Sequence, residues 1–170
     1  MSRIEPLVTI PVGVVVERRK SKSPWVDFVW RPVAVLPGVP DAAPWTALDG
    51  DADRANFYGG AAAIALHRSD TSGYRDNLAS GAALLWVVLR PTGLEPPYEI
   101  AAVTADPGEG EAFTESAANL VETVPMPEPV RMALADFVAR HHVEHPFVKR
   151  KRERADPEAM APYTSSKERK

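Results

Sequence analysis

The stretch Val8-Thr9-Ile10-Pro11-Val12-Gly13-Val14-Val15-Val16 places an aliphatic residue at every second position. A period of two is that of a half-buried strand. The opposite face carries Thr9, Pro11, Gly13, Val15 and Glu17. Proline has no N–H to give a ladder, so Pro11 predicts an edge strand or a bulge. Alternation resumes at Val26–Leu36, with Phe28, Trp30, Ala34 and Leu36 on one side and Val29, Val33 and Val35 on the other. Arg18–Trp25 between them is polar, so the two segments are expected to pair as a long antiparallel hairpin.

Outward from that hairpin, Leu36-Pro37-Gly38-Val39-Pro40 is a turn. Residues 37–58 read as an irregular excursion pinned by Trp45, Leu48, Phe57 and Tyr58. Gly59–Arg68 is a third strand with Ile64 and Leu66 inward. Asp70–Ala79 is a short helix capped by Ser69 or Asp70 and weakened by Gly73. Ala83–Leu89 is continuously apolar, as a central strand covered on both faces would be. Tyr98–Ala105 is the next strand. Asp106-Pro107-Gly108-Glu109 puts an acceptor at the N-cap and proline at the first helical position, which predicts a helix running to about Asn119. Val124–Pro129 reads as an extended, proline-rich connector. A last helix to Val143 sets Val130, Leu134, Phe137, Val138 and His141 on one face. The expected fold is α+β: a mainly antiparallel sheet of about five strands with one or two helices on one face. Residues 1–150 form the domain, and 151–170 are expected to be a disordered, basic tail.

The chain has 170 residues, one domain's worth, with 45% hydrophobic and 25% charged residues, the balance of a folded globular protein. It has no cysteine, which excludes disulfides, thiol nucleophiles and cysteine-based metal centres. Its longest apolar run, Gly81–Leu89, is far short of the roughly 18 residues a membrane helix needs. Leu7–Val16 is broken by Pro11 and Gly13 and followed by Glu17-Arg18-Arg19-Lys20, unlike a signal peptide. A cytoplasmic protein without membrane contact is therefore expected. The net charge of −3 conceals an asymmetry. Residues 149–170 hold eight basic and four acidic residues, net +4, whereas residues 1–148 hold twelve and nineteen, net −7. An acidic body of that kind disfavours nucleic acid.

Few residues suggest chemistry. His141-His142-Val143-Glu144-His145 contains a pair four apart, a spacing at which two histidines can share a metal. But Pro146 follows immediately and no third ligand is indicated, so His141 is read as packed, with His142 and His145 dispensable and no metal expected. Asp106-Pro107-Gly108-Glu109-Gly110 sits where phosphate loops sit, yet three carboxylates crowd it and no cation is near, so it is read as a cap. No nucleophile elbow, catalytic triad or paired acid and base stands out, and no cofactor is expected. Two basic segments remain: Arg18, Arg19 and Lys20 at the hairpin, and Lys149, Arg150, Lys151 and Arg152 after Pro146-Phe147-Val148. Both are candidate partner-binding sites, alongside the simpler reading of solvated charge. Trp25, Trp30 and Trp45 are read as core and loop anchors, unless some prove exposed.

Several stretches together are distinctive: Ile10–Arg19, Pro24-Trp25-Val26-Asp27, Trp30–Gly38, Trp86–Pro91, Val103–Pro107, Val124–Pro127, Phe137–Glu144 and Pro146–Arg152. The set resembles an uncharacterised bacterial domain-of-unknown-function family whose genes often neighbour those of molybdenum formate dehydrogenases, over about residues 7–157. The resemblance implies no catalytic residue. Some members carry a label linking them to molybdopterin-guanine-dinucleotide synthesis, but this sequence has neither a glycine-rich nucleotide loop nor a basic phosphate clamp. The expectation is a non-catalytic accessory protein assisting assembly or maturation of a formate dehydrogenase-type molybdoenzyme, with one of its subunits as protein partner. The alternatives are a protein of molybdopterin-cofactor synthesis or binding, which needs an anion-lined pocket, and an RNA-binding module, which needs the two basic segments adjacent.

Overall fold

The computed structural model describes residues 4–143. Its strands are β1 (Val8–Lys20), β2 (Phe28–Pro37), β3 (Thr46–Gly50), β4 (Arg54–Leu66), β5 (Leu84–Pro91), β6 (Tyr98–Thr104) and β7 (Leu120–Pro125). Its helices are α1 (Thr71–Ala79), α2 (Pro107–Phe113) and α3 (Glu128–His141). The class is α+β, and every strand pairing is antiparallel. The strands divide into two sheets, ordered β2-β1-β4-β3 and β6-β5-β7.

β1 and β2 form the expected hairpin, but β1 is a central strand with β4 on its other side, not an edge. Pro11 is tolerated because of where its ladder ends. In an antiparallel strand the N–H and C=O of one residue point the same way. The Pro11 carbonyl accepts from Gly38 N–H on the β2 side, one residue beyond the last β1–β2 pair, Val12 with Pro37. The missing N–H therefore falls just outside the ladder. The irregularity lies further along, where register shifts between Val14 and Val15 against β4 and between Val15 and Val16 against β2.

Val12, Val14 and Val16 are fully buried and share one core with Ile64 and Leu66 of β4, Leu85, Val87 and Leu89 of β5, and Leu134 and Phe137 of α3. The two sheets meet with β6 along β4 and β7 along β2. β5 is the centre of its sheet, as its unbroken apolar run predicts. Two strands go beyond the sequence reading. β3 arises inside the 37–58 excursion: its residues are all exposed, so no apolar alternation marks it. β7 lies between the expected helix and the expected connector and overlaps the connector at Val124 and Pro125. α2 stops at Phe113, six residues early, and β7 then pairs with β5 from Leu120 to Pro125. Proline at its last position does not interrupt the ladder.

The helices pack on one another, α1 against both α2 and α3. The α2 start is as read: Asp106 is the N-cap, its carboxylate accepts from Gly108 N–H (3.2 Å), and Pro107 is the first helical residue. Burial raises the Asp106 carboxyl above its ordinary range. Gly73, a weak point of α1 by propensity, has a packing reason. A Cβ there would press on the Asp106 carboxylate that caps α2. The N-cap of α1 is Asp70, without a side-chain hydrogen bond.

α3 ends at His141, and His142 leaves helical geometry at ψ 126°. The helical face that includes His141 therefore stops short of its neighbour, and the two histidines differ from their expected roles. The His141 ring rests on Phe137, centroids 4.7 Å apart, but stays half-exposed. His142 instead bridges α3 to α1. Its Nδ1 lies 3.0 Å from Thr71 Oγ1 and its Nε2 3.0 Å from Arg75 Nη1. An arginine only donates, so Nε2 accepts, and Nδ1–H donates to Thr71. His142→Ala is therefore expected to lower stability by roughly 1–2 kcal/mol through two lost hydrogen bonds. In chemical denaturation it should cost at least as much as His141→Ala, the reverse of the ranking that periodicity predicts.

Candidate functional site

The basic run Arg18-Arg19-Lys20 belongs to β1 itself rather than to a loop, and its residues pair on both sides. Successive strand residues point to opposite faces. Arg18 and Arg19 therefore do not form one patch, and each meets a different environment.

Arg18 is folded into an aromatic cluster. Its guanidinium carbon lies 4.4 Å from the Phe28 ring centre, 5.1 Å from Phe57 and 5.9 Å from Trp30, within cation–π range. Its Nε is buried without a hydrogen-bond partner. Trp30 packs edge-on against Trp45 and tilted against Phe57, each at 5.8 Å. Trp45 holds φ at +68°, an uncommon conformation for a bulky residue. The packing of its ring and its N–H bond to the Tyr58 carbonyl hold it there. Arg18 is thus a packing residue, and two of the three tryptophans are anchors, as expected.

On the opposite face, Arg19 joins a cluster centred on Glu17. The Glu17 side chain is only 3% exposed, and three guanidinium groups surround it: Arg54 Nε at 2.8 Å, Arg19 Nη2 at 3.1 Å and Arg31 Nε at 3.5 Å. Register produces the arrangement. Glu17 lies opposite Arg31 of β2, and Arg19 lies opposite Arg54 of β4. The arginines are 52–62% exposed. One carboxylate thus neutralises one of three cations.

Lys20 ends β1. Its N–H donates to the Asp53 carbonyl (2.7 Å), which draws the β3–β4 turn alongside. That turn carries Asp51 and Asp53, and Asp49 precedes it on β3. Asp51 accepts from the N–H groups of Asp53 and Arg54, which hold its carboxyl below the ordinary range. Asp49 accepts from the Asn56 amide (2.8 Å).

The hairpin tip beyond Lys20 is tied by its own serines. Ser21 N–H donates to the Asp27 carbonyl, Ser23 N–H to Ser21 Oγ, and Trp25 N–H to Ser23 Oγ. This loop presents Trp25 with 90% of its surface in solvent, beside half-exposed Val26 and Val29. Trp25 is the exposed member of the tryptophan group. Lys149, Arg150, Lys151 and Arg152 lie outside the described residues, as do Glu144 and His145. Among the described residues no group of three His, Asp or Glu side chains is placed to hold a metal, and no helix is long and apolar enough to cross a membrane.

The sequence reading missed the Glu17 cluster. It put Glu17 on the polar face of β1 but gave no sign that Arg31 and Arg54, from two other strands, would close around it. The available signal was an acidic residue inside a valine-rich strand, next to arginines on a flanking strand.

No curated protein and no solved structure matches the chain. A family model does match, over residues 11–151, nearly the span of the motif set and all seven strands but the start of β1. The chain belongs to the family described as protein of unknown function, DUF3305.

Proposed function

We propose that the chain is a non-catalytic accessory protein that docks on a protein partner through the end of the β1–β2 hairpin. The partner is a subunit of a formate dehydrogenase-type molybdoenzyme, whose assembly or maturation the chain assists. Trp25 carries the docking part of this reading. A tryptophan held in solvent by an ordered loop gains nothing for the fold, whereas burying a large apolar side chain is worth about 1.5–3 kcal/mol. Tryptophan is also among the residue types that most often dominate interface energy. Val26 and Val29 are exposed as well and add apolar surface to the hairpin, and exposed Lys20 and Lys22 add charge. The choice of partner rests on the gene neighbourhood of the family the sequence resembles.

The test is capture of purified formate dehydrogenase subunits on the immobilised full chain. Trp25→Ala is expected to weaken capture about 30-fold, the effect of losing a hot spot of about 2 kcal/mol. Its thermal midpoint should hardly move, because nine-tenths of the residue's surface is already in solvent. Replacing Lys149, Arg150, Lys151 and Arg152 by alanine should likewise spare stability and weaken capture, and wild-type capture should fade with salt. Capture unchanged by Trp25→Ala would sink the docking surface. Preference for RNA or for the free molybdopterin cofactor over every subunit would replace the accessory reading with one of its alternatives.

A further inference from the structure

A buried carboxylate needs a cation to offset its lost hydration, and each further cation gathered around it adds repulsion among the cations. Here Glu17 is enclosed, yet Arg19, Arg31 and Arg54 each keep half or more of their surface in water. A guanidinium has five N–H donors in a fixed fork, and Glu17 engages only some of them. The carboxylate therefore works as a template. It fixes three forks on adjacent strands β2, β1 and β4, within reach of one another, and leaves a surplus of two positive charges at an open sheet face.

We infer that Arg19, Arg31 and Arg54, templated by Glu17, form a docking site for a pair of carboxylates on an acidic peptide segment of the partner. This deepens the docking reading above and rests on it. Two features fit peptide carboxylates, and a third disfavours a long polyanion. The forks match a carboxylate bidentately. The surplus of two equals the charge of two acidic side chains. And Asp49 at the end of β3, with Asp51 and Asp53 in the β3–β4 turn, stands beside the start of β4 at Arg54, so a long polyanion such as RNA laid across the sheet would meet fixed negative charge. A short acidic segment avoids that flank. Arg19 and Arg31 also share β1 and β2 with the Trp25 loop, so one partner surface can place an apolar contact at the tip and acidic residues along the strands.

The experiment is an NMR titration of the full chain with hexaglutamate, following the arginine side-chain Nε–Hε signals. Hexaglutamine, inorganic phosphate and oligouridylate are titrated in parallel. Hexaglutamate should shift Arg19, Arg31 and Arg54 together, with an affinity that falls as salt rises. Hexaglutamine should shift none of them. Arg31→Gln and Arg54→Gln should each weaken binding roughly threefold, the size of one exposed charge pair. Thermal melts of both variants confirm that they are folded. Glu17→Gln tests whether the surplus charge drives the binding. It removes the template's charge and raises the surplus to three, so it should bind hexaglutamate more tightly than wild type even while it melts lower. Absence of arginine shifts, weaker binding by Glu17→Gln in folded protein, or tighter binding of phosphate or oligouridylate at the same residues would overturn the inference. If the arginines do not respond but Trp25→Ala still abolishes subunit capture, the docking reading stands and only this site fails.

Discussion

Asn77→Ala is expected to be the most damaging single substitution in the polar interior, lowering stability by about 3–5 kcal/mol. Asn77 sits on α1 with 5% of its surface exposed. Its amide nitrogen donates to the carbonyls of Leu84 (2.8 Å) and Ala105 (2.9 Å), and its oxygen accepts from Leu84 N–H (3.0 Å). One side chain thus satisfies three backbone groups, at the start of β5 and just past the end of β6. Alanine leaves all three unpaired, and each buried polar group without a partner costs about 1–3 kcal/mol. Water reaches half-buried Leu84 and recovers part of that. For a domain of this size the midpoint should fall by about 10–15 °C. Asn77→Asp makes the test specific. It retains the acceptor for Leu84 N–H but turns a carboxylate toward two carbonyls, so at neutral pH it should be at least as damaging as alanine. If Asn77→Ala melts within a few degrees of wild type, Asn77 does not hold the helix layer to the second sheet.

Gly110→Ala is expected to cost about 2–3 kcal/mol, whereas Gly108→Ala, two residues away, should be nearly neutral. Gly110 is buried in α2 against the indole of Trp86 on β5. A Cβ there would stand closer than 3.0 Å to three ring atoms. A rigid ring on a central strand cannot yield as the end of a flexible side chain can. A Cβ on Gly108 would meet Asp106 at 3.7–3.9 Å, ordinary contact, and alanine is the better helix former. Both glycines belong to the Gly-x-Gly that superficially suggests a phosphate loop. A packing role predicts this asymmetry between them. Pairing Gly110→Ala with Trp86→Leu should recover much of the loss, because removing the ring makes room for the methyl. Equal effects of the two alanine substitutions would refute the packing account.

Much of the architecture is legible where burial writes a period into the chain. Ile10–Val16 alternates because Ile10, Val12, Val14 and Val16 turn to the core, whereas Val8, in the same phase, stays exposed, and Ala83–Leu89 is apolar throughout because β5 is covered on both faces. The Asp106-Pro107 start of α2 is legible because capping is local: donor and acceptor lie two residues apart. β3 leaves no period because it buries nothing. β7 is hidden by the prolines around it, and by a helix whose apolar spacing continues past the point where the chain turns. Asn77 and Gly110 look unremarkable in sequence, since their importance lies in Leu84, Ala105 and Trp86 across the fold.

The candidate site divides in the same way. The sequence alone determined that a run of cations follows the valine-rich strand and that a tryptophan comes after it in a serine-bearing stretch, since both are statements about neighbours in the chain. The tertiary structure decided what the cations do. Strand alternation sends Arg18 into the aromatic cluster and Arg19 to the other face, a separation that adjacency in sequence conceals. Strand register then brings Arg31 and Arg54, 14 and 37 residues from Glu17, around one carboxylate. Packing also left Trp25 in water while it partly buried its two counterparts against the core. Charge and propensity are properties of residues, and the sequence states them. Which charges meet depends on pairing between distant strands, and only the folded chain fixes that.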